Sequence, residues 1–440
     1  VWLVLILRYD WKIDTAIEQE RSAGYPMLPV DFETLFPEPS GRHAGVVYGE
    51  AFDRLDIFGD HVRGVPFFDI EIEPLPPVGV PWRDDVIARS QAVLDRNADA
   101  LQKCDEASRA GVAWFPWVWH STKILYEREH NALLGLKLLL MLDVSVRSET
   151  GDNQRAFESL MVLWRLGDAL LENYDPHSNG ARMLIIDAAI SMTERLVSYG
   201  RLEHWQLQAI SDAALASNDG GKTLVNTIVG ERVSLNVSYL RASKGDYEGQ
   251  VPTRLLYWLT ILQRDHMVEL LVSRDAIEMV KHGEPDEEFQ LQKLEHITPF
   301  HSMFGHYNWG VAFRMKERAF QVARIDALVA AIAAERFRLD TGHFPTTLSE
   351  LTPNYQAVVP KDRFSHGSLS YRRVGEAAIF YSTGPDIIDD GGREKRPMDP
   401  FATHFQHIDA TFTIGDAQRE LWPEQWGGDV NASDDVSDVD

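Results

Sequence analysis

The sequence predicts a mainly α protein, stacked antiparallel helices followed by a small α+β domain with a three-stranded antiparallel sheet. Three observations predict it. From Trp82 onward one long helical pattern follows another, separated by short polar breaks at Gly111, Gly151, Asp175 to Gly180, Gly200 and Asp219 to Gly221. A strong amphipathic run then extends from Arg314 to Gly342. After it the period changes from helical to alternating, in three short runs.

At 440 residues the chain exceeds what one core usually holds, so several cooperating units are expected. We divide it at 1–23, 24–81, 82–312, 313–415 and 416–440. Acidic residues outnumber basic ones 67 to 43, and the resulting charge of −24 repels phosphate backbones, which argues against nucleic acid as a partner. The single cysteine, Cys104, leaves no disulfide framework and no thiolate cluster, and it reads as a buried structural thiol.

The chain opens VWLVLILRYDWKIDTAIEQERSAG, with seven apolar residues running into Arg8, Lys12 and a charged helix. A bilayer crossing needs about 20 residues, so residues 1–23 read as a membrane-proximal helix, the remnant of a signal anchor begun upstream. That reading makes the membrane a partner and predicts a single-pass cell-membrane protein whose bulk is extracytoplasmic, in the bacterial periplasm.

Residues 24–81 form a Pro-rich connector: nine of the 21 prolines lie between Pro26 and Pro81, and proline blocks helix interiors. Within it, Gly45 to Phe58 predicts a short helix and FDIEIE, Phe68 to Glu73, a half-exposed strand. Residues 82–312 are the helical scaffold. ALLGLKLLLMLDV, Ala132 to Val144, is its most apolar helix, and being short and holding a lysine it suits a core rather than a membrane. The segment TGDNQRAFESLMVLWRLGDALLENYDP resembles the second helix of a tetratricopeptide-type repeat, with Gly151-Asp152 at the turn, Ala156 at a close approach and Pro176 beyond the end. The next break, Gly200, follows after 49 residues instead of about 34, so the repeat is degenerate.

In 313–415 the helix exits at Gly342, and LSYRRV (Leu369 to Val374), AAIFYS (Ala377 to Ser382) and IDATFTI (Ile408 to Ile414) read as strands, the first two a hairpin across Gly375-Glu376. Residues 416–440 read as an acidic disordered tail.

The block from Glu335 to Gly392 resembles the globular part of type II secretion pseudopilins. Gly342, Phe344, Pro345, Leu348 and Leu351 match G-x-[FY]-P-x-x-L-x-x-L; Asp362 and Phe364 match D-P-[FW]-x-G, with Gly367 one residue beyond the pattern's glycine; Tyr381, Ser382, Gly384 and Asp386 match Y-S-x-G-x-D. It is also similar to the C-terminal region of uncharacterised, membrane-anchored bacterial proteins that join such a block to a helical domain. Arg363 departs from the family's proline, and more than 300 residues precede the block where a pseudopilin has only its leader helix. The resemblance implies a calcium-binding loop after the Y-S-x-G strand. Here Asp386, Asp389 and Asp390 would supply carboxylates, and Gly391 and Gly392 the tight backbone that carbonyl ligation requires. The alternative for YSTGPDIIDDGG is a plain polar turn.

Other motifs carry less. NDGGKT, Asn218 to Thr223, lacks the first glycine of a phosphate-binding loop, Ala216 standing there. Glu127 and His130 form one E-x-x-H pair, whereas a di-iron bundle needs two. His296, His301 and His306 recur every five residues, about 140° apart on a helix, and share no face. WFPWVWH, Trp114 to His120, reads as core packing or as a groove for sugars or peptides. No catalytic or cofactor-binding residue is assigned. The expected function is a noncatalytic scaffold or protein-interaction role. The alternatives are an enzyme with its site near Trp114 to His130, drawing on His120, Glu127 and His130, and a secretion-apparatus component.

Overall fold

The structure, a computed structural model, describes residues 2–69, 75–76, 78–115, 125–244, 261–282, 307–393 and 409–415. The helices are α1 (Trp2–Ser22), α2 (Pro29–Leu35), α3 (Ala44–Phe52), α4 (Asp84–Arg96), α5 (Ala98–Arg109), α6 (Leu125–Thr150), α7 (Asn153–Asp168), α8 (Pro176–Ser198), α9 (His204–Ser217), α10 (Lys222–Lys244), α11 (Ile261–His282) and α12 (Tyr307–Thr341). The strands are β1 (Ser370–Val374), β2 (Ala377–Ser382) and β3 (Ala410–Ile414). A mainly α body of packed helices is thus followed by a small antiparallel sheet of order β1-β2-β3.

Helix boundaries follow local chemistry. Asp152 accepts from the Arg155 N–H and caps α7, while Asp175 accepts from the Ser178 N–H at 2.7 Å and caps α8, with Pro176 in the first turn. The apolar stretch Ala132 to Val144 lies in α6 and buries Leu133, Leu136, Leu139, Leu140 and Leu142. Between α7 and α8 the approach is close, since a Cβ on Gly167 would stand 2.5 Å from Ile186 Cδ1. Ala156 is fully buried, as its small size suggested.

One buried cluster runs from α3 and α5 through α6 to α9 and on to α12 and the sheet. Helix α12 is the pivot because it packs on α8 and α9 and also on β2 and β3. Its Ala327, Ala330, Ala331, Ala333 and Ala334 are all buried, and small side chains let neighbours approach on both sides. Strand β2 is buried at all six positions. The outer edge of β3 is closed by α8: the Thr413 N–H donates to Glu194 Oε1 and the Gly415 N–H to Ser198 Oγ, both at 3.0 Å.

The N-terminal reading requires correction. Among the described residues no helix is long and apolar enough to cross a membrane. Helix α1 instead buries Ile13 and Ile17 with Met27 and with Leu270 of α11, and its Glu20 pairs with Arg232 of α10 at 2.7 Å. Of the opening apolar run Ile6 is buried while Val4 and Leu7 are exposed, and with no spanning helix among the described residues the signal anchor, the membrane as a partner, and the single-pass, extracytoplasmic placement are withdrawn. The predicted helix at Gly45 to Phe58 is the shorter α3. The tail, the three histidines His296, His301 and His306, and most of Phe68 to Glu73 lie outside the described residues.

Candidate functional site

Asp362, only 2% exposed, organises the C-terminal block. Its Oδ1 accepts from the Phe364 N–H at 2.9 Å and the Ser382 hydroxyl at 2.6 Å; its Oδ2 accepts from the Ser365 hydroxyl, the Thr383 N–H and the Thr383 hydroxyl. Burial alone would raise this carboxyl, but the donors, Ser382 foremost, hold it below the usual carboxylate range. The turn after Pro360 and the end of β2 are thereby tied together. This explains physically why an aspartate in one motif element accompanies a serine in the other.

The loop that follows contains the three predicted metal ligands. Asp386 Oδ1 accepts from the Ile388 N–H at 3.1 Å, and Asp389 Oδ1 accepts from the Gly391 N–H at 2.8 Å, so both carboxylates shape turns. Gly391 and Gly392 have φ of 76° and 78°, conformations that favour glycine. Arg372 pins the loop by donating to the Gly391 carbonyl at 3.1 Å. A fourth carboxylate, missed in the sequence, completes the corner. Asp409, at the start of β3 and 2% exposed, accepts from the Gly392 N–H at 2.8 Å through Oδ2, and the Asp390 N–H also donates to this carboxyl. Burial, joined by the charges of Asp390 and Asp389, pushes its pKa up to about 6. The Tyr381 hydroxyl, hydrogen-bonded to Asp389, is pushed up to about 12, chiefly by burial. Among the described residues no group of three or more His, Cys, Asp or Glu side chains is placed so that it could hold a metal ion. The only sequence signal for Asp409 was one acidic residue abutting an apolar strand.

The helical candidates take structural positions. In NDGGKT, Asp219 accepts from the N–H groups of Gly221 and Thr223 and from the Thr223 hydroxyl, so a carboxylate already caps the start of α10 where a phosphate would sit. Trp114 Nε1 donates to the Phe36 carbonyl at 3.1 Å, and Phe115 packs near Tyr48 and Phe52. Residues 116–124, including His120, lie outside the described residues, and the side chain of Glu127 is not described. His130 stands with its ring 6.3 Å from that of His177, and its Nδ1 is buried without a partner. Burial and His177 lower its pKa, favouring the neutral imidazole. Cys104 is fully buried, with its thiol pushed far up by burial.

No protein-family model matches this chain, and no significant match to it is found among curated proteins or solved structures.

Proposed function

We propose that the protein is a noncatalytic interaction scaffold, a stack of helices of degenerate tetratricopeptide type carrying a pseudopilin-like α+β block. The observation that carries this reading is the shared core. Because α12 buries one side on helices and the other on the sheet, the two parts present one rigid surface, as a docking platform requires. The Asp362 knot supports the pseudopilin-like identity by giving two motif elements a common task. Photo-crosslinkers at the exposed Leu184, Trp205 and Leu215 test the scaffold role. They should trap one reproducible protein that re-forms a stoichiometric complex when both components are purified. Absence of such a complex counts against the scaffold.

On this reading the acidic corner holds Ca²⁺. Asp386, Asp389 and Asp390, joined by Asp409, would have to draw together from the turns they now shape, and main-chain carbonyls would complete an oxygen shell of six to eight. Calorimetry on chelator-treated protein tests it, with no heat at millimolar Ca²⁺ as the negative result.

One observation favours a second reading, an enzyme. His130, held neutral beside His177 with Nδ1 unpartnered, is poised as a general base. A turnover abolished by His130→Gln while partner binding persists would select it over the scaffold.

A further inference from the structure

A cleft that neither the scaffold reading nor the acidic corner uses opens where the C-terminal ends of α6 and α8 meet the residue just beyond β3. It measures about 480 Å³ and is lined by Val78 and Pro81 of the connector, by Glu149, Tyr199 and Arg201, and by Gly415. Small-molecule sites commonly enclose about 300–1,000 Å³, so a ligand carrying a ring fits here.

A series of cation–ring contacts organises its wall. Arg195 lies over Trp82, 5.6 Å from the ring centre, and over Tyr199 at 5.9 Å; Arg201 lies over Tyr199 at 5.4 Å. All three fall within the roughly 6 Å over which a guanidinium is attracted to a ring face. The inner members are also fixed by hydrogen bonds. Arg195 donates to the Pro76 carbonyl at 2.9 Å and to the Tyr199 hydroxyl at 3.3 Å, and that hydroxyl donates to Glu149 Oε2 at 2.7 Å. Glu149 Oε1 accepts from the Trp82 N–H at 3.1 Å.

Arg201 ends the series and differs from the rest of it. Its side chain is exposed on the cleft, and among the described residues it makes neither an ion pair nor a hydrogen bond. Glu149, the one carboxylate among the lining residues, has both oxygens engaged and stands with two guanidiniums, Arg195 and Arg201. Arg338, which approaches Gly200 next to this wall, is already paired with Glu335 at 2.6 Å. One positive charge is therefore unmatched, and Arg201 carries it. A guanidinium held over a ring keeps a planar fork of donors that matches the two oxygens of a carboxylate.

We propose that this cleft binds a monocarboxylate with a ring-sized apolar body, its carboxylate received by the Arg201 fork and its body by Val78 and Pro81. A single negative charge matches the single unmatched guanidinium. A cation of the same shape meets Arg201 with the wrong sign, and Glu149, whose oxygens are already taken, offers it no free acceptor pair. A small anion without a body leaves the apolar wall in water.

Phenylacetate, acetate, benzylamine and inorganic phosphate are titrated into the full chain, with chloride matching the ionic strength, and both calorimetric heat and melting temperature are read. Phenylacetate should bind saturably, raise the melting temperature and exceed acetate about tenfold, because only its ring covers the apolar wall. Arg201→Gln should fold normally, since Arg201 anchors nothing by a polar bond, and should weaken phenylacetate about tenfold, the worth of one charge-assisted pair. Val78→Asp sets a negative charge elsewhere in the same wall and should weaken phenylacetate at least as much. Heats no larger than those of chloride overturn the proposal. So does benzylamine or phosphate binding as tightly as phenylacetate, or phenylacetate binding unchanged in either variant.

Discussion

Asp409→Asn probes the acidic corner most directly, because the wild-type charge is opposed by its surroundings. An ordinary aspartate ionises near 3.8, and Asp409 in the folded protein near 6. Below pH 3.8 the group is protonated in both folded and unfolded chains and costs nothing. Between the two values the unfolded chain releases its proton first, so stability falls as pH rises, and above about 6 the loss is complete. At about 1.4 kcal/mol per pH unit the ionised carboxylate costs about 3 kcal/mol, an upper value because nearby water screens part of it. Asparagine keeps a carbonyl oxygen for the Gly392 N–H and removes the charge. Urea unfolding in chelator should therefore show the variant about 2–3 kcal/mol more stable than wild type at pH 8 and no different at pH 3.5. A variant that is neutral or less stable at pH 8 in chelator refutes the electrostatic account of this corner.

Asp362→Ala leaves Ser382 and the Thr383 N–H without their acceptor and should cost about 3 kcal/mol in urea unfolding at pH 7. Because the Asp362 carboxyl is held below its usual range, its contribution is present above pH 4 and lost as pH falls through its folded value; the variant should lack this part of the acid dependence. Ser198→Ala removes the acceptor of the Gly415 N–H and should cost about 1 kcal/mol while accelerating exchange of that amide. Gly167→Ala drives a methyl into Ile186 and should destabilise by about 1–3 kcal/mol. Cys104, buried and with a raised thiol pKa, should resist Ellman's reagent in native protein and react fully in guanidinium.

The strands were legible because alternation has a short period and each run was bounded by Gly or polar residues; Gly375-Glu376 fixed the hairpin, and Val374 pairs with Ala377 across it. The breaks at Gly151 and Gly200 were equally plain, each being a left-handed residue just beyond a helix. The α1 reading failed because its apolar residues have the same composition whether they meet lipid or another helix. Only the placement of Ile13 and Ile17 against Leu270 decides. Asp409 escaped because its significance lies in residues seventeen or more positions away. Asp219 shows the reverse hazard, a turn sequence suggestive of phosphate whose own carboxylate occupies the place.

The closure of β3 by α8 also bears on the order in which the chain becomes complete. Glu194 and Ser198 wait for partners 219 and 217 residues later, contacts that can form only after β3 has been synthesised. Until then α12 lacks β3, and β2, buried at every position, keeps one edge unpaired. A polypeptide halted anywhere before Ala410 therefore exposes an apolar, open-edged surface to chaperones and proteases. Strand β3 is thus the seal that closes the sheet onto α8 and α12.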